Sequence, residues 1–386
     1  MRWIATDNIY AATWRELFDY TNNDLTVKKL IKRHGEPKSA GDKANYFKQA
    51  NQARVCVLQA KEYMDAAQAS SIFTSPNHIY YSIYALASLM MLIMGDGTKS
   101  LDYLRKDRNN RNHGLSFMTH CGLKNASVDV NLLKLSSVAI SEHGHFPNWY
   151  KSLPNRQSVY AIFERTMGGF LARGMHAVGG STLAPISSIS DKRWSLLNLL
   201  SLFPDLDSDL RKCGVEKIRS RTSLTVSEND EEQMAYVWRI HGCENKQDLE
   251  ILLKKFAVQP GFENLRNFTP YPSGLGGELR VNFQRGDHIT FEWPDVRETL
   301  EHSTISYADH VEMFEIVELY LVAYQLSMLS RYFPDLWVYC IESQCLSAKL
   351  ISRATEIIGR KFPILCLSIL NDEKTVISIY RQPWLE

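Results

Sequence analysis

The chain has 386 residues, with 44 Lys and Arg against 43 Asp and Glu and a formal net charge of +1. That balance excludes a global electrostatic pull toward nucleic acid or membranes, so any anion-binding role must come from a local cluster. Apolar residues make up 45% and charged residues 23%, which excludes a disordered chain and supplies interior for more than one packed unit.

In chain order, residues 1–35 read as short helices. Trp14, Leu17 and Phe18 recur at i, i+3, i+4, and Leu25, Val27, Leu30 and Ile31 follow, until His34-Gly35-Glu36-Pro37 stops the pattern. A long helix is predicted over 43–69, with Cys56, Ala60, Tyr63 and Ala67 on one stripe. Thr74-Ser75-Pro76 opens the next helix, because a hydroxyl caps free N–H groups and proline suits the first turn. Residues 79–94 are apolar all round. At 16 residues they fall short of the roughly 20 that span a bilayer, and they predict a central bundle helix closed by a left-handed Gly95. Further helices are expected near 130–142 and 156–173, then a loop over 179–190 and a helix over 194–203.

The period then changes. Runs at 223–227 and 234–241 read as strands and 246–256 as a helix. Residues 278–283 and 289–293 flank Arg285-Gly286-Asp287-His288 and read as a β-hairpin. The fold expected is mainly α: an N-terminal helical region over 1–219, a small α+β insert over 220–296, and a C-terminal helical region over 297–386. The last region holds a very apolar helix from Val311 to Arg331, helices at 335–342 and 346–360, and an apolar end at 364–370.

The cysteines are Cys56, Cys121, Cys213, Cys243, Cys340, Cys345 and Cys366. They are scattered, with no CxxC pair, which points to buried apolar residues in a reducing compartment rather than zinc or disulfides. His143 and His145 flank Gly144 without further ligands nearby and read as a polar helix end. The start, MRWIATDNIYAATW, lacks a signal-peptide pattern. A cytoplasmic chain is expected, with no metal, no cofactor and no membrane association. The glycine-rich stretches Gly274-Leu275-Gly276-Gly277 and Gly179-Gly180 lack the spacing of phosphate-binding loops.

Four segments carry a resemblance to the YaaC-like family. They are Trp14-Arg15-Glu16-Leu17-Phe18; the helix after Ser75-Pro76 leading to His113-Gly114-Leu115; Leu196-Leu197-Asn198-Leu199-Leu200 through Phe203-Pro204-Asp205-Leu206; and Tyr320-Leu321-Val322-Ala323-Tyr324-Gln325-Leu326-Ser327-Met328-Leu329-Ser330-Arg331-Tyr332, followed by Trp337. The second segment, with Tyr80-Tyr81, Tyr84-Ala85-Leu86 and His113-Gly114-Leu115, also resembles the HEPN superfamily of nucleotide-binding proteins, toxins and RNases.

That second resemblance implies a HEPN-like bundle and directs attention to Arg108-Asn109-Asn110-Arg111-Asn112-His113, because HEPN ribonucleases use Arg, four to six residues, then His. The chemistry asks for these types. An imidazole moves a proton at the 2′-hydroxyl or leaving oxygen, and a guanidinium faces the charge that builds on the phosphoryl oxygens. The resemblance makes His113 the proton-transfer group, Arg108 the stabiliser and Asn109 the phosphate-orienting residue. The neighbouring Arg105, Lys106 and Arg111 would bind RNA backbone. Residues five apart point about 140° from each other on a regular helix. The pair therefore requires a loop–helix junction, or a site shared across a homo-oligomer. A second Arg-to-His match, Arg297 to His302, lacks this context. Two readings follow. One is an RNA- or nucleotide-binding protein, acting as a metal-independent endoribonuclease in toxin or phage defence. The other is a non-enzymatic interaction or regulatory module with a protein partner.

Overall fold

A computed structural model describes residues 2–122, 128–167, 170–190, 192–215, 218–228, 233–243, 245–257, 268–284, 291–292, 296–298, 300, 303–306, 313–343 and 345–378. In chain order its elements are β1 (Arg2–Ala5), α1 (Ile9–Phe18), α2 (Asn23–His34), α3 (Ala40–Ala69), α4 (Ser75–Met94), α5 (Leu101–Lys106), β2 (Leu115–Thr119), α6 (Val128–Leu135), β3 (Ser136–Ile140) and α7 (His145–Ser152). There follow β4 (Arg156–Met167), β5 (Phe170–Thr182), α8 (Ile186–Ser190), β6 (Arg193–Ser195), α9 (Leu196–Leu200), α10 (Asp207–Lys212), β7 (Arg219–Glu228), β8 (Gln233–His241) and α11 (Lys246–Ala257). The rest are β9 (Phe268–Pro270), β10 (Gly277–Gln284), β11 (Phe291–Glu292), β12 (Val296–Glu298), β13 (Ser303–Ser306), α12 (Glu315–Tyr332), α13 (Pro334–Glu342), α14 (Leu346–Leu370) and β14 (Thr375–Ser378). The chain is mainly α.

Two compact units form. The first takes Met1–Pro154, Ala184–Val215 and Ile316–Tyr380, and the second takes Asn155–Leu183 and Glu216–Glu315. The first unit is helical and is organised around α4. Fifteen of the 20 residues of α4 are buried, among them Ile83, Leu86, Leu89 and Met90. Each such apolar side chain contributes about 1.5–3 kcal/mol of burial. This helix has the length and composition to cross a membrane, and 72% of its apolar window is buried inside the structure. α3 lies along it and α14 packs on it. Proline at the first turn starts α4 without any side-chain cap from Thr74. Gly95 ends it with φ −60 rather than in the left-handed region. What demands glycine there is crowding, since a Cβ would stand 2.6 Å from the Met91 carbonyl oxygen.

Two small sheets complete this unit: β1 beside β14 in parallel, and β2-β3-β6 antiparallel. The helix expected over 130–142 is split. α6 stops at Leu135, and Ser136–Ile140 pairs with β2 as a strand. α14 runs unbroken through Pro363 where the sequence suggested separate pieces.

The second unit is a nine-stranded mixed sheet, with path β11-β5-β4-β7-β8-β10-β9 and β13 joining β12 to β7. The strands expected at 223–227 and 234–241 are β7 and β8, and the helix expected over 246–256 is α11. The apolar interior joins Leu224, Val226, Trp238, Ile240, Leu279 and Ile305 to Leu249 and Leu252 of α11. This unit is larger than the insert expected over 220–296, because it also takes 155–183 and 297–315. The helix expected over 156–173 is instead the antiparallel pair β4 and β5. Val159, Tyr160, Ile162, Phe163 and Thr166 favour a pleated surface, and Gly168-Gly169 in the sequence between the strands is a hairpin signal. The hairpin expected across 278–293 does not form as expected. β10 pairs with β8 and β9, whereas β11 runs parallel to β5 at Gly179 and Gly180. Alternation identifies a strand but carries no information about a distant partner. Residues 285–290 of that expected turn, and His302 of the second Arg-to-His match, lie outside the described residues.

Candidate functional site

In the helical unit, α4 carries Tyr80, Tyr84 and Ser88 at i, i+4 and i+8, so all three face one way. α12 carries Tyr320, Tyr324 and Arg331 at i, i+4 and i+11, again on one face. The rings of Tyr80 stand 6.0 Å from Tyr320 and 5.5 Å from Tyr324, both edge to face. Hydroxyls on such apolar helices need partners, and those of Tyr80, Ser88, Tyr320 and Tyr324 have them.

His113 and His145 meet this tyrosine ladder because two loops are stitched together. The His145 N–H donates to the Asn112 carbonyl at 2.9 Å, Phe146 N–H to the His113 carbonyl at 3.0 Å, and Ser141 N–H to the Gly114 carbonyl at 2.9 Å. The Asn112 side-chain oxygen accepts from Gly114 N–H at 2.8 Å. Gly144, at φ +122, lets the strands of this stitch touch, since a Cβ there would lie 2.2 Å from that same oxygen.

Nδ1 of His113 is 2.7 Å from the Tyr80 hydroxyl. Its ring also meets Tyr84 at 5.7 Å and Tyr324 at 6.0 Å. Tyr80 and Tyr320 pack ring edge to ring face. The Tyr320 hydroxyl is 3.0 Å from Nδ1 of His145, and Nε2 of His145 is 2.9 Å from Ser88 Oγ. His145 stacks on Tyr84 with centroids 3.7 Å apart. Two polar groups therefore lie side by side, half-buried His113 with Tyr80, and His145 with Tyr320 and Ser88.

Burial holds the His113 imidazole below its usual range, and the positive charge of Arg331 adds to this. Burial pushes His145 down to about 3 and drives the phenols of Tyr80 and Tyr320 far up. His145 is therefore neutral when folded but takes a proton when unfolded below about 6.5. Its contribution to stability is complete above that value and is lost as pH falls toward 3, at about 1.4 kcal/mol per pH unit. We expect urea midpoints to fall between about pH 7 and about pH 5, and to fall less steeply in His145→Asn.

Arg331 comes from the end of α12. Its Nη1 donates to the Tyr81 hydroxyl at 2.8 Å and its Nε to the Ser327 carbonyl at 3.3 Å. The guanidinium also lies 5.1 Å from the ring of Tyr332, a side chain exposed by 62%. It is the cation whose field reaches His113.

The sequence-predicted residues are placed as follows. Arg105 and Lys106 end α5, and Arg108 and Asn109 lie in a short 3-10 turn, Arg108–Asn110. Arg105, Lys106, Arg108 and Arg111 are exposed. The side chain of Asn109 lies outside the described residues. Arg111 folds back, its Nε donating to the Arg105 carbonyl at 2.9 Å. Asp102 takes up Lys48 at 2.5 Å and Arg105 at 3.9 Å. The charge of Arg105 reaches Tyr84, whose ring borders His113. A depression of about 630 Å³ beside Arg105 is lined by Phe47, Lys48, Gln52, Val55 and Cys56. No contact joins Arg108 to His113 among the described residues. Nor does any group of three metal-ligand side chains occur among them. All seven cysteines are free thiols, and five are buried.

Sequence reasoning singled out His113 and passed over His145, Tyr320 and Arg331 as reactive groups. Tyr320, Tyr324 and Arg331 all belong to the last segment of the resemblance, where they read as packing. The signal was polar groups at helical spacing on a helix otherwise too apolar to hold them unpaired.

A model of the YaaC-like Protein family matches residues 19–370. No curated protein and no solved structure matches the chain.

Proposed function

The chain belongs to the YaaC-like family, and for this member of it we propose a HEPN-type function: RNA or nucleotide binding, with metal-independent cleavage of RNA at His113. One observation carries this reading. His113 is a neutral imidazole whose Nδ1 is held by Tyr80, whose Nε2 has no partner among the described residues, and which feels a guanidinium. A base poised in this way needs no metal to accept a proton.

In the proposed step, Nε2 of His113 takes the proton of a ribose 2′-hydroxyl. The 2′-oxygen forms its bond to phosphorus, the bond from phosphorus to the 5′-oxygen breaks, and the same proton returns to that leaving oxygen. The product ends are a 2′,3′-cyclic phosphate and a 5′-hydroxyl. Cationic donors beside the phosphoryl oxygens stabilise the transition state. Arg331 supplies one, and Arg108 and Asn109 belong to the neighbouring turn that would orient the phosphate. Arg105, Lys106 and Arg111 would hold RNA backbone, and the exposed rings of Tyr332 and Phe47 offer faces on which bases stack. A role in toxin or phage defence would follow from such an activity.

The test is incubation of the protein with total RNA in EDTA beside a His113→Ala variant. Shortened RNA bearing cyclic phosphate ends is expected from the wild type, with at least a ~10²-fold slower reaction in the variant. RNA left intact by both proteins would overturn the catalytic reading and favour the interaction module.

A further inference from the structure

α3 carries a second seam that its own fold leaves open. Ala50, Ala53, Val57, Ala60 and Met64 belong to its buried stripe. On the solvent side Ala44, Lys48, Asn51, Val55, Leu58, Glu62, Asp65 and Ala69 recur at alternating steps of four and three, and all eight are exposed. Such steps keep a line of side chains facing a neighbouring helix along its whole length. Val55, exposed by 51%, and Leu58, exposed by 38%, lie at the middle of the line. The seam is its own complement. When two copies of α3 lie antiparallel about the midpoint between Val55 and Leu58, residues equidistant from that point face each other. Ala44 then meets Ala69, Lys48 meets Asp65, Asn51 meets Glu62, and Val55 meets Leu58. A parallel pair would instead set Lys48 on Lys48 and Asp65 on Asp65, so charge selects the antiparallel one.

We infer that this face of α3 binds a second copy of the same chain, α3 against α3 and antiparallel, with Val55 and Leu58 at the two-fold axis. In such an isologous contact each facing pair occurs twice, so every complement counts double. The polar layers have the groups they need. Lys48 reaches Asp102 at 2.5 Å, and Asp65 takes Lys61 and the Tyr10 hydroxyl, yet the side chains of Lys48 and Asp65 stay 52% and 50% exposed. An ammonium has three donors and a carboxylate several lone pairs, so both can take one partner more. Asn51 accepts from Asn23 Nδ2 at 2.6 Å through its oxygen, which leaves its NH2 group to donate to a Glu62 carboxylate. A helix of some other protein would have no need of a seam that matches itself, and for this reason the occupant is a second copy. Two apolar layers between polar ones make the association reversible rather than obligate. It does not depend on the reading of His113.

The experiment is sedimentation equilibrium of the full chain at low and high salt. The wild type is expected to pass from monomer to dimer as concentration rises. Leu58→Glu sets an unpaired carboxylate against Val55 on both sides of the axis and should weaken the dimer at least ~10-fold. Asn51 gives a test with opposite signs. Asn51→Lys faces Glu62 with a positive charge and should tighten the dimer about 3-fold, whereas Asn51→Asp faces it with a negative one and should loosen it about 3-fold. The gap between the two should narrow in high salt. The bond from Asn23 can survive in Asn51→Asp but not in Asn51→Lys, so a merely local role for Asn51 predicts the reverse order. Both substituted positions are exposed, and circular dichroism checks that the helices persist. A wild type that stays monomeric up to roughly 100 μM overturns the inference, and that result needs no variant to fold. A dimer unmoved by Leu58→Glu overturns it as well, by placing the contact on another face. A dimer in which Asn51→Lys is no tighter than Asn51→Asp overturns the antiparallel register and the inference with it.

Discussion

Arg331→Gln is expected to slow RNA cleavage by about 10²–10³-fold, the usual loss on removing one preorganised donor from a charge-developing oxygen. Arg108→Gln separates two assignments of the guanidinium. The sequence spacing pairs Arg108 with His113, whereas the charge that bears on His113 in the folded chain is that of Arg331. If Arg331 faces the reacting phosphate, Arg108→Gln weakens RNA binding and raises KM while kcat holds. If Arg108 does, the losses in kcat are exchanged between the two variants. Arg331 also anchors Tyr81 and the end of α12, so a purely structural loss must be told apart. The pH profile does this. Arg331 holds the His113 imidazole down, so its removal raises that pKa and moves the acid limb of the rate profile to higher pH. Damage to packing alone would lower the rate without moving the limb.

Asp205→Ala is expected to destabilise the helical unit by about 3 kcal/mol, the lower end of the range for breaking a buried pair. Lys361 on α14 is fully buried, and its Nζ donates to the Asp205 carboxylate at 2.7 Å. Arg360 approaches the same carboxylate at 3.5 Å. Removing the carboxylate leaves an ammonium inside the protein. Other interactions of Lys361 keep the loss at the lower end of that range. The urea midpoint reads the effect. Adding Lys361→Met to Asp205→Ala should recover part of it, because the buried charge goes while the other partners of Lys361 lose theirs. A double variant no more stable than Asp205→Ala would show that packing of the Asp205 turn, not charge, is what matters there.

The helices were legible where one rule dominated. α3 and α4 follow from stripe, cap and proline, and α11 and α13 from period alone. The sheet was only half legible. β7 and β8 announce themselves by alternation, while β4 and β5 carry enough apolar residues in sequence to imitate a buried helix. Partnering was hidden altogether, since β11 reaches back more than 110 residues to Gly179 and Gly180. In the site, His113 stood out because a spacing drew attention to it. Arg331 lies 218 residues further on and could be joined to His113 only by folding α12 against α4. His145 looked like a helix end, and it does begin α7, but its imidazole is turned inward to Ser88 and Tyr320.

The way the sheet unit interrupts the helical one sets an order of events during synthesis. α4 emerges from the ribosome early, yet Tyr320, Tyr324 and Arg331 belong to the last stretch, Ile316–Tyr380, made only after the whole sheet segment to Glu315 has been translated. Until then the most apolar helix of the chain waits without its α12 and α14 neighbours, a state open to aggregation and to capture by chaperones. Because the imidazole of His113 meets Tyr324 and Arg331 only at that docking, the nascent chain would carry an inert histidine, and any ribonuclease activity would arise only once α12 has been made and has docked.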